Sequence, residues 1–174
     1  MNRILLLLFA AAILVSCKQN QANKHHPANE TEANIYKAAD SMMAAFKRRD
    51  WMTYAKYNHP SMQKMFGGQQ GLASFVNEQM KQVPDTTIKN IEAGKILQVV
   101  KTDKDEQCVI EQTTDMHIKG LHVLKTNYLV GESLDGGKTW TFLDVTSGIP
   151  PKTLKPDISP QLKIPEKKQT VEEL

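Results

Sequence analysis

GLHVLKTNYLVGESLDGGKTWTFLDV, residues 120–145, decides the fold. It reads as two strands, residues 121–132 and 139–145, joined through Ser133-Leu134-Asp135-Gly136-Gly137-Lys138. Asp-Gly-Gly between two alternating runs signals a hairpin, because these residues tolerate the positive φ that a tight reversal needs. Side chains alternate across a strand. His122, Leu124, Thr126, Tyr128 and Val130 therefore share one face, and Leu121, Val123, Lys125, Asn127 and Leu129 the other. In the second strand Trp140, Phe142 and Asp144 oppose Thr141, Leu143 and Val145.

The segment upstream extends the same pattern. Residues 106–118 alternate cleanly, with Cys108, Ile110, Gln112, Thr114, Met116 and Ile118 against Gln107, Val109, Glu111, Thr113, Asp115 and His117. Cys108 falls mid-strand on the more apolar face and reads as a small buried hydrophobe, since no base or helix N-terminus stands beside it to activate a thiol. Residues 87–101 form a further strand, with Gly94 marking a bend or bulge. A charged turn, residues 102–105, joins these two, and Lys119-Gly120 leads into the hairpin.

The first half is helical. In residues 31–49, Ile35, Ala39, Met42 and Phe46 recur at helical spacing and make one apolar stripe. Asp50 suits the N-cap of a short helix over residues 51–57, which Asn58-His59-Pro60 stops. Residues 61–66 fit a helical turn or a short extended piece equally well. After Gly67-Gly68, Leu72, Phe75, Val76, Met80 and Val83 trace another helix over residues 69–82, closed by Pro84. Two to three helices followed by four antiparallel strands predict an α+β domain over residues 31–147, with a curved four-stranded antiparallel sheet wrapped onto the first and third helices. Six of the eight methionines fall in this helical half and read as core filling.

The two ends have other characters. Met1-Asn2-Arg3 precedes an unbroken apolar run over residues 4–15. That run is short for a bilayer span and fits the core of a signal peptide, residues 1–16. It closes in Leu14-Val15-Ser16-Cys17, which resembles the bacterial lipobox, so Cys17 is the expected lipid-attachment site, tethering the chain to a bilayer. The polar residues 17–30 read as a disordered tether, with His25 and His26 solvated rather than metal-bound. Residues 148–174 carry five prolines and read as an extended arm whose Leu154, Ile158, Leu162 and Ile164 lie against the domain, with residues 167–174 fraying. A formal charge of +3, reduced to +2 by loss of Arg3, is too small to argue for nucleic acid. Two cysteines in different roles argue against a disulfide scaffold, although the expected compartment would permit one.

The order of elements over residues 32–146 resembles the nuclear transport factor 2-like (cystatin-like) fold, the cone-shaped α+β domain shared with ketosteroid isomerase and polyketide cyclases. The stretches around His59-Pro60 to Gly67-Gly68, Ser133 to Asp144 and Pro156-Asp157-Ile158-Ser159 look like lipoproteins of the Bacteroidetes type. The resemblance implies a cell-envelope location, most naturally the outer membrane, and a cone whose pocket would be lined by Tyr54, Tyr57, His59, Tyr128 and Trp140. It implies no established activity, and the first expectation for function is a non-catalytic domain that binds a small apolar ligand or an envelope protein. A small isomerase- or cyclase-type enzyme and a structural envelope accessory protein are the alternatives. An isomerase-type enzyme needs a base opposite oxyanion donors. Asp115, His117, His122 and Asp144 are the candidate bases, and no spacing among them demands catalysis. No cofactor and no metal is expected, and the sheet is a possible homodimer surface. Ser133-x-Asp135-x-Gly137-x-Thr139-Trp140 also matches the Asp-box of sialidase-type propellers. One copy in 174 residues cannot build a propeller, so it reads as a self-capped hairpin.

Overall fold

The computed structural model describes residues 25–145 and 148–174. The expected signal peptide, the expected lipid-attachment site Cys17 and most of the expected tether lie outside the described residues. No helix among the described residues is long and apolar enough to cross a membrane.

Four helices come first. Helix α1, Glu30–Lys47, begins one residue before the sequence expectation, because Asn29 caps it. The Asn29 side chain accepts from the Glu32 N–H at 2.9 Å, and Glu32 accepts from the Ala28 N–H at 2.8 Å, a reciprocal box that anchors the first turn. Its approach is ordered too: the His25 ring stacks on Tyr36 with centroids 3.9 Å apart, so His25 is packed rather than solvated. Helix α2, Trp51–Lys56, is capped as expected, with Asp50 accepting from the Thr53 N–H at 3.1 Å. The ambiguous segment is helical: α3, Pro60–Met65, has proline in its first turn, where a missing N–H costs nothing. Helix α4 is Gln69–Lys81, entered through Gly68 at φ 102°.

The sheet follows in chain order. Strands β1 (Ile88–Lys101), β2 (Glu106–Ile118), β3 (Leu121–Ser133) and β4 (Thr141–Asp144) are successive antiparallel neighbours. The register of β1 on β2 shifts between Ala93 and Ile96, at the glycine expected to mark a bulge. After β4 come a single helical turn, α5 (Pro151–Leu154), and a fifth strand, β5 (Lys168–Glu173). Both correct the sequence expectation of an irregular, fraying end. Strand β4 pairs only with Leu129 to Glu132, so the remaining edge of the long β3 needs a partner. Strand β5 supplies it, pairing with Leu121 to Thr126. The prolines argue against regular structure only as far as Pro165; the six residues of β5 contain none.

Two apolar clusters sit on the two faces of the sheet. On the inner face, Ile35, Ala39, Met42 and Met43 of α1 pack with Ile91, Cys108, Ile110, Leu129, Trp140 and Phe142. Burying each large aliphatic or aromatic side chain here contributes about 1.5–3 kcal/mol. Packing is tight enough to require glycine at 131, where an added Cβ would sit 2.5 Å from Cys108 Sγ and 3.0 Å from the Phe142 ring. The outer-face cluster joins Val100, Val109, Tyr128, Val130 and Leu143 to Leu154, Ile158 and Leu162 of the C-terminal arm, and Trp51, Ala55, Met62, Leu72 and Ala73 of the helices belong to it. Helix α4 packs chiefly on α2 and α3 rather than on the sheet as expected. The Trp51 indole N–H donates to Asn77 of α4 at 3.0 Å.

Candidate functional site

The outer face near the start of β2 holds a buried polar network. Lys155, 3 % exposed, follows α5 in the arm. Its ammonium donates to Asp105 Oδ2 at 2.8 Å, to Asp157 Oδ1 at 2.9 Å, and to the Glu132 carboxyl group. The Gln107 amide donates to both Asp105 oxygens, at 3.0 and 2.9 Å, and its carbonyl accepts from the Ser159 N–H at 2.8 Å. Burial pushes the Asp105 carboxyl up, but hydrogen bonds from Lys155, Thr102 and Gln107 outweigh it and hold the group well below the usual carboxylate range. Burial likewise works against the charged Lys155, and its bonds to Asp105, Glu132 and Asp157 win, raising it above an ordinary lysine.

His59 closes the network from the other side. Its Nε2 lies 2.6 Å from Glu132 Oε2, and its Nδ1 lies 2.6 Å from Ser61 Oγ. Nδ1 also accepts the Ser61 N–H at 3.2 Å, which assigns the proton to Nε2, facing Glu132. Serine, histidine and glutamate in a row are the residue types of a nucleophilic triad. Here, however, both Ser61 groups on Nδ1 belong to the N-terminal cap of α3, and Glu132 also binds Lys155. The arrangement fixes α3 and the arm to the sheet.

The five residues expected to line a pocket divide between the clusters. Trp140 is buried against α1, and Met42, Met43 and Phe142 occupy the space between helix and sheet beside it. Tyr54 and Tyr57 are half-buried at the rim of this packing, and burial raises the Tyr54 hydroxyl to about 12. His59 belongs to the polar network. Tyr128 borders a groove on the outer face. This hollow of about 550 Å³ is walled by Val145, Pro151, Ile164 and Pro165, with Glu166 and Lys167 at its lining. A second hollow, of about 390 Å³, lies beside Arg49, whose guanidinium is committed to the carbonyls of Met80 and Val83 and to Asp85. Cys108 is fully buried, and burial pushes its thiol up to about 12, as expected of an inert core cysteine.

The Asp-box turn is a clamp. Asp135 accepts from Ser133 Oγ, from the N–H groups of Lys138 and Thr139, and from Thr139 Oγ1, at 2.7 to 3.1 Å. These bonds, led by the Thr139 N–H, lower the Asp135 carboxyl to about 2. The Trp140 indole and the Asn34 amide both donate to the Gly137 carbonyl, so the turn is also pinned to α1.

Of the four candidate bases, the fold gathers three. Cross-strand register sets His117 opposite His122 and Asp115 opposite Leu124, which places Asp115, His117 and His122 on one patch at the β2–β3 hairpin end. Asp144 is elsewhere, on β4 opposite Leu129. Strand β5 adds Glu172 directly across from His122, a neighbour that no sequence pattern indicates. No protein-family model matches this chain, and no curated protein matches its sequence.

Proposed function

We propose that this chain is a lipid-anchored, non-catalytic ligand-binding module of the bacterial cell envelope, built on a nuclear transport factor 2-like domain and tethered through acylated Cys17. The observation that carries the binding role is the outer-face groove of about 550 Å³ between β3 and the C-terminal arm, floored by Tyr128 and walled by Val145, Ile164 and two prolines. A concave, largely apolar hollow of this size suits a small apolar ligand. The non-catalytic reading is supported by the commitment of the ionisable groups buried on the same face. Lys155, Asp105 and His59 are each hydrogen-bonded to structural partners and are almost fully buried.

Native mass spectrometry of the protein extracted from its host envelope tests the reading. A small-molecule adduct is expected on the wild-type chain and not on Ile164→Arg, which places a charge in the groove wall. Wild-type protein that carries no adduct overturns it. The anchor is tested separately: Cys17→Ala is expected to leave the membrane fraction, and wild-type protein recovered as soluble material overturns lipidation.

A further inference from the structure

We propose that Asp115, His117 and His122 form a binding site for a divalent transition ion of the zinc type, with Glu172 as the carboxylate that orients His122. The site is independent of the groove and of the anchor.

Geometry is the first support. One ligand atom from each of the three residues lies within 4.8 Å of the others. Metal bonds of about 2.0–2.2 Å in a tetrahedral shell set donor atoms roughly 3.3–3.6 Å apart, so small side-chain rotations close the set. One edge is already short, with His122 Nε2 3.1 Å from Asp115 Oδ1. The His117 and His122 rings meet edge to face with centroids 5.5 Å apart.

The two nitrogens of His122 are differentiated as a ligand requires. Nε2 faces Asp115, while Nδ1 faces Glu172 Oε2 at 3.9 Å. A metal-bound imidazole characteristically turns its other N–H toward a carboxylate, which fixes tautomer and ring orientation. Glu172 on β5 is placed for that task. The donors also stand on paired strands, which hold a site more rigidly than loops do.

Donor chemistry selects the ion. Two imidazoles and one carboxylate suit zinc, copper or nickel, whereas magnesium and calcium want shells of oxygen. Asp115 and His122 are about one-third exposed, at 34 % and 32 %, so an ion has an entry path. Three protein donors leave a coordination position for water or for an outside donor, the pattern of an open rather than a closed zinc site. Ligation would also tie the β2–β3 hairpin to β5 through the His122–Glu172 pair.

Zinc titration calorimetry on the full-length chain, carrying Cys17→Ser so that buried Cys108 is its one remaining cysteine, tests the proposal. One zinc equivalent is expected. Binding should weaken at least about tenfold in His117→Ala and in His122→Ala, and about tenfold in Glu172→Gln, while His25→Ala/His26→Ala binds as before. Absence of zinc binding, or binding unchanged in both His117→Ala and His122→Ala, overturns it. Imidazole ¹⁵N spectra of the chain with all its histidines guard against a variant that misfolds. Zinc must shift the His117 and His122 signals, and shifts confined to His25, His26 or His59 overturn the site.

Discussion

Lys155 and Asp105 are 50 residues apart in the chain and 2.8 Å apart in the fold. One belongs to the proline-rich arm, the other to the turn between β1 and β2, and both are nearly excluded from water. Their pairing, extended through Glu132 to His59, makes the arm a part of the domain rather than an appendage.

Removing the cation should therefore be costly. Lys155→Met leaves Asp105 buried without its ion partner and is expected to destabilise the fold by about 3–5 kcal/mol, read from urea unfolding. The double variant Lys155→Met/Asp105→Asn should lose less than the sum of the two single variants, because they share one interaction.

The same pair sets a pH dependence with opposite signs at its two ends. Asp105 is lowered in the fold, so its contribution is complete above the unfolded carboxylate value of about 3.9 and is lost as pH falls through the folded value. Lys155 is raised, so its contribution is complete below about 10.4 and is lost as pH rises through its folded value. The urea midpoint should be insensitive to this pair between those limits and fall in acid. Lys155→Met should flatten the acid limb.

Gly131 offers a packing test. Gly131→Ala pushes a methyl group against Cys108 Sγ and the Phe142 ring, both fully buried, and should cost about 1–3 kcal/mol. Adding Cys108→Ala should recover part of that loss by vacating the sulfur's position. A double-mutant cycle measured by urea unfolding reads the coupling directly.

In the Asp-box turn, Asp135→Ala deletes the acceptor of four of the bonds that organise residues 133–139. The thermal midpoint should fall, and amide exchange at Lys138 and Thr139 should accelerate. Gly137→Ala should be worse than an ordinary surface alanine, because φ is +81° and the new Cβ would lie 2.7 Å from Glu106 Oε2.

What was legible in the sequence follows the range of the signal. Strand β2 matches its sequence pattern to the residue, and Asp50 is recognisable as a cap, because alternation and capping are local patterns. The hairpin clamp was legible for the same reason. Lys155 was not: a lysine among prolines looks solvated, and only the docking of the arm onto Val109 and Val130 buries it. The pattern points His59 to a pocket instead; its partner Glu132 is 73 residues away, beyond any periodicity. Asp115, His117 and His122 each stand out as candidate bases, yet their convergence depends on the β2–β3 register and Glu172 on a strand placed in a tail expected to fray.

That last strand also leaves the sheet with a conditional edge. Among the described residues, the β3 edge from Leu121 to Thr126 is covered by the six residues of β5, a segment that reaches it only after the whole proline-rich arm has been laid down on the domain. Any state in which β5 is undocked carries an open hydrogen-bonding edge, and such an edge is a template for a wrong partner. In that undocked state a chaperone, or a second incompletely folded chain, would find something to hold.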